Sequence, residues 1–319
     1  MRFVTFDSAK GARLGAIAGE AVLDLPFAAT LNGVKDFPDS MQALIEAGEP
    51  ALATARTLVE QAPTDALVSS PRLLSPLPRP IRFRDCCLFL EHMEASAGKI
   101  VKAQAKAAGK PEPKPEGANG NWLNEQFYKQ IIYYNADHLH VYGPGDDIPW
   151  PVQPGWADYE LEWACVVGKT ASNIERSVAH EHIFGFTIFN DWSARDLQFP
   201  FMEAKLGPGE AKDFANSFGP CIATPDEFAD PYNLLMTAKI NDEVWSSGST
   251  GTMHHRWEDA LVQFSRGKTL FAGELIGSGT VLGGCGLELD KQLSHGDVVE
   301  LEIEGIGVLR NRVLFPEGA

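Results

Sequence analysis

The chain has 319 residues, 44% of them hydrophobic and 22% charged, and its 27 basic and 43 acidic residues leave a formal charge of −16. These values describe a packed globular protein and argue against a fibrous repeat or a disordered chain, while the negative excess opposes binding to phosphate backbones, so no nucleic-acid partner is expected. No apolar run reaches the roughly 20 residues that cross a bilayer, the start alternates like a strand rather than opening a signal peptide, and the five cysteines lack paired zinc spacing; a cytoplasmic chain with reduced thiols and no membrane partner is expected.

Three short alternating runs come first, Arg2 to Phe6, Leu14 to Ala18 and Ala21 to Leu25, separated by Gly11, Gly15 and Gly19; they predict small twisted strands. Between Ser40 and Gln61 a helical pattern is interrupted by Gly48 and Pro50, which predicts two short helices. Prolines 71, 76, 78 and 80 then hold the backbone extended and withhold ladder donors. The expected division is a small N-terminal unit with its linker over 1–78 and a catalytic unit over 79–319. The stretch from Lys99 to Pro115, followed by Gly117-Ala118-Asn119-Gly120-Asn121, reads as a helix leading into either a mobile lid or a solvated surface insertion.

Beyond residue 140 strands dominate, at Glu160 to Val167, Phe186 to Asn190, Leu234 to Asn241, Val298 to Ile303 and Val308 to Val313. Short helical interruptions fall near Ile174 to Ile183 and Arg256 to Arg266. Gly-rich turns at Gly277-Ser278-Gly279-Thr280 and Gly283-Gly284-Cys285-Gly286 suit a folded-over sheet better than a βαβ alternation. The fold class expected is α+β, rich in β structure, with a sandwich or roll as the catalytic unit.

In Asp158-Tyr159-Glu160-Leu161-Glu162-Trp163 the two glutamates stand two apart in a predicted strand and project from one face. Like charges so placed need water or a cation, and a hard dication with oxygen ligands is the natural partner. Glu300-Leu301-Glu302 has the same spacing but reads as a solvated strand face. What separates the two is the company of Gly185-Phe186-Thr187-Ile188-Phe189-Asn190-Asp191-Trp192-Ser193-Ala194-Arg195-Asp196-Leu197-Gln198, an apolar strand ending in a polar cluster.

These two stretches resemble the fumarylacetoacetate hydrolase family and its bacterial members. The resemblance implies a β-sandwich roll with a small SH3-like N-terminal domain, and a metal site of Asp85, Glu160, Glu162 and Asp191 that coordinates Mg²⁺, with Mn²⁺ or Ca²⁺ as alternatives. In Arg84-Asp85-Cys86-Cys87-Leu88-Phe89-Leu90-Glu91-His92 the spacing of Asp85 and His92 matches the family's metal-binding aspartate and catalytic histidine. The late run Gly279 to Glu288 resembles the family's threonine-bearing loop, with Thr280 at the substrate, and the glutamate, Glu288, that orients the histidine. Arg195, Gln198 and Lys212 match positions that aim cations and donors at a developing oxyanion; structural pairing of Arg195 and Lys212 with Asp196 and Asp213 is the alternative.

The residues support that carry-over: an imidazole whose second nitrogen donates to a carboxylate is held in the tautomer that accepts a proton from water. The expected reaction is hydrolytic cleavage of a carbon–carbon bond in a β-diketone or acylpyruvate-like substrate, by a homodimer. Decarboxylation, hydration or isomerisation of an oxo acid, and a non-catalytic metal-binding role, are the alternatives. Two departures argue against fumarylacetoacetate itself. Cys87 stands where that enzyme has an aromatic residue, and no arginine lies near Val101, where Lys99 substitutes only in part.

Overall fold

The computed structural model describes every residue except 108, 118–119, 153–154 and 318–319. Its centre is a long mixed sheet in which Asn216–Ala223, Ile183–Asp191, Leu161–Val167, Leu275–Gly277 and Phe83–Cys86 follow one another in space, with Tyr133–Asn135 at the edge. Leu161–Val167 is buried along its whole length because both faces of this sheet are covered. One face meets a second sheet of Glu243–Ser249, Leu235–Ile240, Val298–Ile303, Gly307–Leu314 and Asp147–Pro149. Trp163, Phe186, Ile188, Met236, Leu301, Leu309 and Trp257 fill the space between, which is the expected sandwich.

The opposite face is covered by the helices Leu25–Leu31, Met41–Ala47 and Glu49–Gln61, whose Ala28, Leu44, Ile45 and Leu58 share a core with Ala164, Val166, Phe189 and Phe218. Gly48 separates the second and third of these helices, as the sequence predicts. The first was not anticipated; Asp24 accepts the Phe27 amide hydrogen and Pro26 occupies the first turn, so a strand converts to a helix within one residue.

The strands Arg2–Phe6, Arg13–Ala18 and Ala21–Asp24 form as predicted, but they build no closed SH3-like barrel. Arg2 and Phe3 pair with Ala223 and Ile222, so these strands extend the central sheet as an open edge. The helix that carries His92 runs Leu90–Ala107. After it the chain is tethered back, because Glu94 accepts the amide hydrogens of Trp122 and Leu123. Two of the five predicted turn residues, 118 and 119, lie outside the described residues. No helix among the described residues is long and apolar enough to cross a membrane, and all five cysteines are free.

Candidate active site

Strand parity builds the site. Phe83, Ala164 and Phe189 point into the helix-covered core, and two residues along each strand, on the same face, stand Asp85, Glu162 (before Ala164) and Asp191. Phe83 packs edge-on against Phe189 with centroids 4.9 Å apart, and Phe189 stacks on Phe218 at 4.8 Å, giving the carboxylates an apolar floor. Ligand atoms of Asp85, Glu162 and Asp191 lie within 4.8 Å of one another, all three residues buried. Gly277 pairs with both Ala164 and Asp85; a Cβ there would sit 2.5 Å from Asp85 Oδ1, so only glycine leaves the carboxylate its place.

Glu160 joins the group from the other side of Lys212. The buried Lys212 ammonium donates to Glu160 Oε2 at 2.5 Å and also to Asp191 Oδ2. Arg195 donates to Glu160 Oε1 at 2.8 Å, to Asp158 Oδ2 through Nε and Nη2 at 2.8 and 2.6 Å, and to Gln198 Oε1 at 2.7 Å. The alternative pairings with Asp196 and Asp213 are not made. Asp196 instead accepts the amide hydrogens of Gly155 and Trp156, and the neighbouring residues of a helix face apart.

His92 is buried in the first turn of its helix, and its Nδ1 lies 2.8 Å from Glu288 Oε2. Glu288 sits on the short helix Gly286–Leu289, where Cys285 Sγ is 3.6 Å from the same oxygen. Thr280 Oγ1 donates to Glu162 Oε1 at 3.2 Å, and Cys87 lines the cavity beside Asp85. The structure thus brings every sequence-predicted site residue to one cavity wall or its immediate backing.

Two further groups carried no local signal. Asp158 is completely buried; besides holding Arg195 it accepts the amide hydrogens of Gly286 and Leu287 at 2.7 and 3.0 Å, tying the cation to the helix of Glu288. A Cβ on Gly286 would lie 2.6 Å from Asp158 Oδ1, so this junction also needs glycine. Tyr134 hydroxyl donates to Asp191 Oδ2 at 2.9 Å.

The electrostatics suit a doubly charged cation. Burial pushes the Asp85 carboxyl up to about 6. Burial, then the charges of Asp85, Glu160 and Asp191, hold Glu162 well above the usual range. Asp191 is also held up by burial, against the opposing pull of Lys212. Glu160 differs: although burial works against it, Lys212 and Arg195 hold it well below the usual range. Glu162 Oε2 and Asp191 Oδ1 are buried without a hydrogen-bond partner, an arrangement that hard oxygen-seeking cations satisfy. The carboxylate donor set therefore fits a divalent ion such as Mg²⁺, Mn²⁺ or Ca²⁺.

Comparison with known proteins gives the same direction. The family model described as fumarylacetoacetate (FAA) hydrolase C-terminal matches residues 107–314. The mitochondrial oxaloacetate tautomerase FAHD2A of Homo sapiens is 30% identical over 279 residues, 87% of this chain and 80% of that protein. The oxaloacetate tautomerase YisK of Bacillus subtilis is 29% identical over 325 residues, 98% of this chain and 100% of that one. Among solved structures, fumarylacetoacetate hydrolase from psychrophilic Exiguobacterium antarcticum superposes with a TM-score of 0.72 at 26% identity, covering 99% of this chain and 100% of that one. Maleylpyruvate hydrolase from Sphingobium sp. SYK-6, in complex with manganese(II) and pyruvate, gives 0.68 at 22% identity, with 99% and 100% covered.

Proposed function

The chain belongs to the fumarylacetoacetate hydrolase family, and from that premise we propose that it is a metal-dependent hydrolase cleaving a carbon–carbon bond in an acylpyruvate-like or β-diketone substrate. The observation that carries the reading is the His92–Glu288 pair, joined through Glu160 and Lys212 to three converging buried carboxylates. Asp85, Glu160, Glu162 and Asp191 would hold the divalent cation, Mg²⁺ with Mn²⁺ or Ca²⁺ as alternatives. When bound, such an ion supplies Lewis-acid stabilisation of negative charge developing on a carbonyl oxygen.

The residues of the chain do the rest. Glu288 holds His92 Nδ1–H, which leaves Nε2 to take a proton from water. The hydroxide equivalent forms a bond to the distal carbonyl carbon, the carbon–carbon bond breaks, and its electron pair passes to the departing pyruvate enolate. His92 returns its proton to the enolate carbon, so a carboxylic acid and a 2-oxo acid leave with atoms and charge balanced. Arg195 and Lys212 aim positive charge at the oxyanion, each kept in place by two buried carboxylates. Cys87 and Thr280 contact the substrate in this reading, and Gln198 orients Arg195. A cytoplasmic homodimer with its catalytic unit over 79–319 belongs to the same proposal, supported by family membership.

A second reading, oxaloacetate tautomerisation, is favoured by the names of the curated relatives. There His92 would move one proton between carbon and oxygen, breaking a C–H bond as an O–H bond forms or the reverse, with no carbon–carbon bond cleaved. Acylpyruvates, β-diketones and oxaloacetate, each assayed with Mg²⁺ or EDTA on wild type and His92→Ala, separate the two. Metal-dependent release of two acids that fails in His92→Ala supports hydrolysis. Interconversion of oxaloacetate without release of acid from any acylpyruvate replaces it with the tautomerase.

A further inference from the structure

The cavity that holds the charged groups, about 410 Å³ in volume, continues outward between two helices. Its outer half is apolar. Helix Leu90–Ala107 turns Met93, Ala97 and Ile100 toward it, and helix Arg195–Glu203 contributes Phe199 and Met202. At the rim Val101 is 37% and Met202 is 51% exposed, large apolar side chains kept in water beside a polar reaction centre.

The charged inventory of the lining is one-sided. Arg195 and Lys212 are its cations, and both are already engaged by Asp158, Glu160 and Asp191. Lys99, two residues before Val101, reaches back to the Glu288 carbonyl and Asp290 rather than into the cavity. Among the described residues of the lining, the remaining charge at the rim is Glu203, which is negative. A second substrate carboxylate placed here would meet mainly apolar groups and a like charge, with the Ser96 hydroxyl and the Gln198 amide as uncharged donors and, among the described residues of the lining, no unpaired cation to offset its lost water.

We propose that this chamber is a subsite for an uncharged apolar tail, so that the substrate is a 2,4-dioxo acid with an alkyl or aryl group on its distal carbonyl rather than a dicarboxylic acid. The proposal rests on the hydrolase reading for the head of the substrate, and continuity of the chamber with Cys87, His92 and Thr280 places the tail on the side that leaves as the carboxylic acid. Met202 and Val101 are the residues that set the preference at its mouth.

The test is a series of acylpyruvates with straight acyl chains from acetyl to octanoyl, beside partners of equal length ending in a carboxylate. For each compound, kcat/KM is measured with Mn²⁺ and binding to the Mn²⁺-loaded protein by calorimetry. Affinity is expected to rise about four-fold per methylene until the chamber fills, and each carboxylate-ended partner to bind at least about tenfold more weakly. Met202→Lys, at an exposed position, is expected to narrow the gap between the octanoyl compound and its carboxylate-ended partner about tenfold. Cleavage with affinity independent of chain length, or a preference for the dicarboxylates, overturns the subsite and leaves the hydrolase reading standing. Chain-length-dependent affinity without cleavage supports the subsite and removes the hydrolase. A flat series together with a change of oligomeric state in Met202→Lys assigns the rim to a second copy of the chain and also overturns the subsite.

Discussion

Replacing Asp85 by asparagine tests whether the carboxylate cluster is built for a cation or for the fold. In the metal-free protein burial pushes Asp85 up to about 6 from the ordinary 3.8. A carboxyl held up in this way binds its proton more tightly folded than unfolded, so its effect on stability is fully unfavourable above about 6 and fades as pH falls towards 4. The difference corresponds to on the order of 3 kcal/mol. With an unfolding entropy of roughly 0.7 kcal/mol/K for 319 residues, that is about 4 °C in Tm. In EDTA at pH 7.5, Asp85→Asn should therefore melt higher than wild type, and the gap should narrow to about a third near pH 4.5. With Mn²⁺ at a hundred times its Kd the gap should largely close, because wild type gains about 2.7 kcal/mol from binding and the variant gains less. Differential scanning fluorimetry across this pH range reads all of these. A variant that melts lower than wild type in EDTA at every pH would refute the reasoning and make Asp85 a structural hydrogen-bonding group.

His92→Ala and Glu288→Gln should each lower kcat by about 10²- to 10⁴-fold, while Mn²⁺ affinity measured by calorimetry stays within a few fold of wild type. Mn²⁺ binding should release protons, since Asp85, Glu162 and Asp191 are all held above the usual carboxylate range; affinity should fall on acidification through pH 6, and binding heats should differ between buffers of unlike ionisation enthalpy. Asp158→Ala removes two of the hydrogen bonds of Arg195 and leaves two amide hydrogens unpaired in a buried place; a stability loss of about 3 kcal/mol is expected in denaturant titration, and an unchanged midpoint would count against its junction role. Gly277→Ala should weaken Mn²⁺ binding with little change in far-UV circular dichroism, because the added Cβ meets Asp85 Oδ1 at 2.5 Å, much closer than its next side-chain neighbour, Phe189 Cδ1 at 3.3 Å.

The parts of the site that follow strand periodicity were legible in the sequence. Alternation places Glu160 and Glu162 together, and the apolar run into Asn190-Asp191 marks a strand ending in chemistry. Their convergence with Asp85 was not local information. It depends on Ile183–Asp191, Leu161–Val167, Leu275–Gly277 and Phe83–Cys86 lying side by side, an order unrelated to their order along the chain. Family resemblance supplied what periodicity lacked. Asp158 escaped notice because its partners, Arg195 and the amides of Gly286 and Leu287, lie 37 and more residues away. Tyr134 escaped because a tyrosine in a strand is ordinary unless the residue opposite, Asp85, is known to be part of a carboxylate cluster. The sequence from Lys99 to Pro115 is compatible with a lid or an insertion; the cavity wall comes from the helix up to Val101, and no described residue of 109–117 lines it.

The pairing of Arg2 and Phe3 with Ile222 and Ala223 has a consequence for any shortened form of this protein. A chain cut back to 79–319 would keep every proposed catalytic residue, yet strand Asn216–Ala223 would present bare amide and carbonyl groups at its Ile222–Ala223 end, while Val141 and Tyr142 still cover its start, next to the strand that ends in Asp191. Exposed edges of that kind recruit other chains, so such a fragment would be lost to self-association before the loss of its chemistry was ever measured.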